Sequence, residues 1–224
     1  MKERPILFAG PMVRGVVEER KRQTRRFVKG EAVAMHEKHI DRWLREGDVW
    51  RPLPADEDTR RQFVTTWPTA VRCPYGVEGD RLWIRENFRL PAQFNGHRAA
   101  NVKENVKIHY AADGEPSGDG APFGILRPAI HLPRVRCRVL VQITSVRIER
   151  LGDIANPCAI EEGIAQVAPP DAKDGRQHWG VPGMPTIDRP TPALAFRSLF
   201  REVNANRFPW DSWVWVIRFH RVPV

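Results

Sequence analysis

The eight residues Glu19-Arg20-Lys21-Arg22-Gln23-Thr24-Arg25-Arg26 set one threonine among five cations, at a junction between two kinds of local structure. Upstream, Pro11 to Arg20 is expected to be helical, because Met12, Val13, Val16 and Val17 recur at helical spacing and Pro11 suits a first turn. Downstream, Gln23 to Val28 is expected to be extended. Thr24 and Arg26 then project from one face of a strand while Lys21 stands where the helix ends, which gathers the three. No acid interrupts the run from Arg20 to Lys29, although Glu18-Glu19 immediately precedes it. Such a run is usually a solvated face; the threonine inside it is the feature that asks for another explanation.

Working outward, Arg4 to Phe8 suggests a short strand, and Val33, Ile40, Trp43 and Leu44 suggest a second helix over Glu31–Glu46 with Gly47 as its stop. Asp48 to Tyr75, punctuated by Pro52, Pro54 and Pro68, is expected to be a surface excursion. Gly79-Asp80 turns into a strand at Arg81–Glu86, a further strand is expected at Val106–Tyr110, and Ala111–Gly124 has the composition of a loop. Arg136 to Glu149 carries the longest strand signal. Cys137, Val139, Val141, Ile143 and Ser145 face one way in it, and Arg138, Leu140, Gln142 and Thr144 the other. Asn156-Pro157 is expected to cap a short helix that ends at Gly163 and carries Glu161 and Glu162. Gln166 to Pro192 is long and rich in Pro and Gly, as a loop over a site would be. Thr191-Pro192 caps a helix to about Asn204, and Ser212–Phe219 closes the chain as a strand. Trp83, Trp213 and Trp215 belong to strand patterns and are expected in the core, whereas Tyr75 and Trp179, in loops, are better placed to stack on a base.

Composition narrows the classes. The chain has 224 residues, 42% hydrophobic and 28% charged, enough for one domain with its own core. No apolar run approaches the roughly 20 residues of a membrane helix, and Met1 to Gly10 has too short an apolar core for a secretory signal, so a cytoplasmic protein with no membrane partner is expected. Cys73, Cys137 and Cys158 lie far apart without a C-x-x-C pair, which suggests free thiols. His36-Glu37-Lys38-His39 is expected to be a solvated pair of imidazoles, and no metal is expected. A net charge of +9 favours an anionic partner.

With these elements in order, the opening eight residues resemble the G-x-K-x-x-T-x-R signature of ASCH domains, through Lys21, Thr24 and Arg26. The strands at Arg81–Glu86 and Val139–Ile148, the segment Leu151–Ile164 and the closing Trp-Val-Trp-Val-Ile-Arg-Phe strand follow in ASCH order. The resemblance implies an α+β fold, a PUA-like mixed β-barrel with flanking helices. It also implies a single domain over 1–224 with long insertions at about 27–78, 87–133 and 166–192, as in phage-encoded ASCH proteins of similar length. Glu19 replaces the family's glycine and is expected to be harmless if that position merely ends the helix.

The activity implied by the resemblance is hydrolysis of the amide in N4-acetylcytidine or a related N4-acylated cytosine. Thr24 would be the nucleophile, Lys21 the base and Glu162 the proton donor to the leaving nitrogen, with the adjacent Glu161 as a competitor for that role. Lys21 can act as a base only after losing its proton; flanking Arg20, Arg22, Arg25 and Arg26 and partial burial would favour that. Arg26 would orient or pair with Glu162, and Arg20, Glu161 and Tyr75 complete the expected substrate-binding set. No metal or organic cofactor is needed, and the partner is a modified nucleoside or nucleobase. The alternatives are an RNA-binding PUA-like module, with or without ribonuclease activity, and a phage accessory protein that binds a modified nucleotide without turnover. Lys21→Ala, Thr24→Ala and Glu162→Ala are each expected to abolish turnover and leave thermal unfolding nearly unchanged.

Overall fold

A computed structural model of the chain describes residues 1–116, 122–167, 177–205 and 209–224. In chain order its elements begin with β1 (Glu3–Leu7), α1 (Gly10–Val17), β2 (Gln23–Phe27), α2 (Glu31–His36), β3 (Ile40–Glu46), β4 (Val49–Pro54), α3 (Glu57–Gln62) and β5 (Val71–Arg72). Next come β6 (Arg81–Arg85), β7 (Phe88–Pro91), β8 (His109–Tyr110), β9 (Phe123–Arg127) and β10 (Leu140–Arg150). The chain ends with α4 (Asn156–Glu161), β11 (Ala165–Gln166), β12 (Trp179–Val181), β13 (Met184–Arg189), α5 (Pro192–Val203) and β14 (Trp213–Val222). The architecture is mixed α+β.

A five-stranded sheet in the order β1-β6-β10-β14-β2 forms the centre, with β1 parallel to β6 and the remaining pairs antiparallel. Its apolar content explains its position. Val139, Val141, Ile143, Val146, Val214, Trp215, Val216 and Ile217 are all buried in the main core, each full burial of a large apolar side chain contributing about 1.5–3 kcal/mol. A register shift between Ile143 and Ser145 alters the expected alternation in β10. Val146 rather than Ser145 enters that core, and Cys137 packs instead with Trp83 and Leu140 in a separate cluster. Trp83, Trp213 and Trp215 are buried, as their strand patterns suggest.

Backbone pairing among the described residues does not join β1 to β2, so the sheet is open there. Side chains span the seam instead: Arg26 Nη2 on β2 donates to the Leu7 carbonyl at the end of β1 at 2.8 Å. The Phe8 ring lies under both the Lys21 ammonium and the Arg26 guanidinium, at 5.4 and 5.3 Å.

The three stretches expected as insertions each carry a small three-stranded sheet. The expected helix over 31–46 stops at His36, and Ile40–Glu46 is a strand hairpinned to β4 through Gly47, whose φ of +63° suits the turn. Strand pairing, together with the packing of Trp43 against Trp213, prevails over a periodicity that fits either structure. The following segment is not a surface excursion either. Trp50 is buried edge-on against Trp215 with ring centres 4.9 Å apart, so this stretch covers part of the central sheet. His36 is buried against Phe63 and Trp67 rather than solvated.

The second stretch has its own core of Phe88, Leu90, Ala99, Val102 and Leu132. It is pinned to the central sheet by Arg138, which holds buried Glu86 at 2.8 Å and Asp113 at 2.7 Å. The strand expected over 106–110 shortens to β8. In the third stretch Val181 and Ile187 enter the main core, and Trp179 sits on β12 half-buried rather than in a loop; residues 168–176 lie outside the described residues. Ala155, not Asn156, caps α4. The Asn156 side chain accepts from Ala193 N instead, satisfying an orphan donor in the first turn of α5, while Thr191 Oγ1 accepts from Leu194 N. Cys73, Cys137 and Cys158 are free thiols. No helix among the described residues is long and apolar enough to cross a membrane.

Candidate functional site

Two helix ends build the site. Helix α1 stops at Val17, Glu18 closes it, and Glu19 takes a φ of +57° so that Lys21 N can donate back to the Gly15 carbonyl at 2.8 Å. The position where the signature has glycine therefore does require a left-handed backbone. Glutamate there is not harmless as expected: it carries a cost of roughly 1–2 kcal/mol. Helix α4 ends in the same manner, with Glu162 as its cap and Gly163 at φ +99°. The two ends meet through an isolated antiparallel bridge between Lys21 and Glu162, reinforced by Arg22 N donating to the Glu161 carbonyl at 2.8 Å. A Cβ on Gly163 would stand 3.3 Å from the Lys21 Cβ, so a larger residue would press on the lysine.

Lys21 and Glu162 form a buried ion pair, Nζ to Oε2 2.9 Å, with both side chains only 3% exposed. Nζ also donates to the Glu162 carbonyl and to the Gln23 carbonyl, each at 2.8 Å. Three acceptors surround the one amine, as many as an ammonium has protons. Burial pushes the Lys21 pKa below its ordinary value; Glu162 opposes this, and Arg26 and Arg25 add to the lowering. Arg20 and Arg22, counted from the sequence among the groups acting on Lys21, turn instead to Glu18 and Glu19.

Thr24 is buried on β2 opposite Ile217 and shares a cleft with Lys21, Arg25, Arg26 and Glu162. The cleft's other wall comes from Phe8 and Met12 and from Phe196, Leu199, Phe200 and Val203 of α5, at the open seam of the sheet. Its volume is about 50 Å³. That is room for a few water-sized groups.

The remaining expected residues divide. Arg26 lines the cleft, and burial holds its guanidinium below the usual pKa, with Tyr75 and Glu162 acting in the opposite direction. It does not pair with Glu162, as the sequence suggested; its neighbour Arg25 does, through Nη1 to Oε1 at 3.1 Å. Tyr75 packs against the main core beside Arg26 rather than standing free in a loop. Glu161 points away from the cleft and pairs with Arg218. Arg20 reaches the Gly163 carbonyl at 3.5 Å from outside and does not line the cleft.

Two residues have contacts that the sequence did not assign: Arg25, counted there only among the charges acting on Lys21, and Glu149, named there only as the end of a strand. Arg25 is 1% exposed and joins Glu162 to Glu149, its Nη2 lying 3.0 Å from Glu149 Oε2. Arg25 was hidden inside a charge run whose members look alike, although strand alternation already set it apart from Thr24 and Arg26. Glu149 carried no local signal, since it lies 124 residues away on β10. Compared with protein-family models, curated proteins and solved structures, the chain matches none.

Proposed function

We propose that this protein is an amidohydrolase that removes a short acyl group from the exocyclic nitrogen of an N4-acylated cytosine or cytidine, N4-acetylcytidine being the reference substrate. One observation carries the proposal: a buried Lys21–Glu162 pair opens onto the same small cleft as Thr24. The reading also takes the central sheet, with its edges drawn together over Phe8, as a PUA-like barrel whose seam is bridged by side chains, in an ASCH-type protein of phage-like arrangement.

The chemistry follows from the pair. Moving one proton from Nζ to Oε2 across 2.9 Å turns ammonium and carboxylate into amine and carboxylic acid without changing the pair's net charge. Nζ then keeps two donor bonds and accepts the third. Burial favours that neutral arrangement, because low dielectric penalises separated charges. The Lys21 amine, once its lone pair turns from the Glu162 hydroxyl to Thr24, takes the Thr24 proton as Oγ1 attacks the acyl carbonyl, and the Arg26 guanidinium stabilises the oxyanion. When the C–N4 bond breaks, the Glu162 acid protonates the departing amine. Water, deprotonated by the Glu162 carboxylate, then attacks the acyl-Thr24 ester, and Lys21 returns its proton to Oγ1. The apolar face of α5 is where the acyl group rests.

The test is to incubate purified protein with N4-acetylcytidine and to measure cytidine and acetate, beside Thr24→Ala, which removes the hydroxyl together with its γ-methyl, and Thr24→Val, which replaces the hydroxyl with a methyl of similar size. Turnover by wild type alone supports the proposal. Absence of turnover with N4-acetylcytidine, N4-acetylcytosine and longer acyl homologues refutes it and turns attention to RNA binding, measured by a salt-dependent titration with single-stranded and structured RNA.

A further inference from the structure

The buried charges of the site do not balance by themselves. Lys21, Arg25 and Glu162 are between 1% and 3% exposed, and two cations face one anion. A second anion comes from the strand behind, shared with a cation of the same strand. Glu149 on β10, 31% exposed, takes Arg25 Nη2 at 3.0 Å on one oxygen and Arg147 Nε at 2.5 Å on the other. Register explains the meeting: Arg25 and Arg147 both stand beside Val216 of β14 and so share a face of the sheet. Arg147 Nη2 then reaches Gln23 Oε1 at 3.4 Å, and the Gln23 carbonyl is one of the acceptors of Lys21 Nζ. The contacts close a ring running Lys21, Glu162, Arg25, Glu149, Arg147, Gln23 and back to Lys21.

We infer that Arg25 and Glu149 are positioning residues that set how readily the Lys21–Glu162 pair gains or loses a proton, Arg25 acting directly on Glu162 and Glu149 acting through Arg25. Among the described residues, other charged or titratable groups stand on both sides of the pair. Arg26 lies on the same strand with Tyr75 beyond it, Arg20 reaches the Gly163 carbonyl, and Glu19, Arg22, His220 and Arg221 line a second pocket together with Lys21, while α5 lends the cleft Phe196, Leu199, Phe200 and Val203, with Asn204 at its end. Glu161 and Arg218 neutralise each other outside. Of the two carboxylates that hold Arg25, Glu149 is the one partly open to solvent, which makes it the point where substitution changes charge with less disturbance to packing.

The consequence is a pair of opposite shifts. The reactive state holds one proton between Lys21 and Glu162, so activity falls on the acid side when the pair gains a proton and on the alkaline side when it loses one. A nearby positive charge disfavours the first event and favours the second, moving both limbs to lower pH. Arg25→Met removes that charge, and both limbs of the kcat/KM profile rise by about one to three pH units. Glu149→Gln leaves the Arg25 charge uncompensated, and both limbs fall by a smaller amount. Arg25→Lys restores most of the wild-type profile.

The kinetic arm rests on the amidohydrolase reading, so a second readout is made on the unliganded protein: the titration of the Lys21 side chain followed by NMR at its Cε. Its midpoint falls in Glu149→Gln and rises in Arg25→Met. If no N4-acylcytidine is turned over, the proposed reaction fails while this titration still decides the role of Glu149 and Arg25. If Arg25→Met does not fold, Glu149→Gln alone carries the test. A Lys21 midpoint unchanged in Glu149→Gln, or shifts of the same sign in both variants, overturns the inference.

Discussion

Replacing Lys21 by methionine removes the charge from the Lys21–Glu162 pair while keeping a side chain of similar length, so the cost reads out the pair rather than a cavity. Removing one partner of a buried pair typically costs about 3–5 kcal/mol, because the other charge is left in low dielectric. Here Glu162 retains Arg25 at 3.1 Å, while the Gln23 and Glu162 carbonyls lose a donor. The expected loss is therefore near the lower end, about 3 kcal/mol. For a chain of this length that corresponds to a Tm lowered by about 6–12 °C. Urea unfolding followed by tryptophan fluorescence measures it, Trp213 and Trp215 being buried on β14. Glu162→Gln and the double variant complete the cycle, and the double variant should be more stable than the two single losses imply, by about 0.5–3 kcal/mol. A Lys21→Met protein within about 0.5 kcal/mol of wild type, with additive losses, would show that the pair is not desolvated in solution. The sequence-based expectation that Lys21, Thr24 and Glu162 could each be replaced with unfolding nearly unchanged conflicts with the burial of all three, although Thr24→Ala leaves no unpaired charge behind.

Further predictions address the neighbouring parts. Gly163→Ala forces an L side chain into φ +99° and against the Lys21 Cβ, so it costs about 1–2 kcal/mol in denaturant unfolding and lowers kcat more than it raises KM. Glu161→Ala breaks only an exposed pair with Arg218; stability changes by less than about 1 kcal/mol and turnover is kept, and loss of turnover would return Glu161 to the mechanism. Burial pushes the Cys73 thiol up to about 11 and raises that of Cys137, so at neutral pH a thiol reagent should label half-buried Cys158 in the native protein and the other two only on unfolding. The cleft of about 50 Å³ should favour acetyl over benzoyl on N4 by about tenfold or more in kcat/KM; equal rates would show that the α5 wall yields.

Much of this was legible in the chain because it depends on near neighbours. The spacing of Met12, Val13, Val16 and Val17, the alternation after Gln23, the Thr191-Pro192 cap and the apolar run of β14 are local signals, and the structure places a helix, strand, cap and strand there. The grouping of Lys21 with Thr24 follows from the same short-range geometry, and Glu162 was separated from Glu161 only as a preference. Where periodicity fits both helix and strand, as over Ile40–Glu46, pairing with β4 decided the outcome. The burial of Trp50 and His36 required neighbours far along the chain.

The site divides along the same line. Sequence determined which residue types stand near Thr24, since their spacing along one helix end and one strand is a covalent matter. Tertiary structure alone decided that α4 brings Glu162 to Lys21 across 141 residues, and that Arg25 rather than Arg26 meets its carboxylate. It also decided that Glu149 pairs with the buried Arg25. Charge pairing depends on distance and dielectric, and both are set by how the chain packs, not by its order of residues.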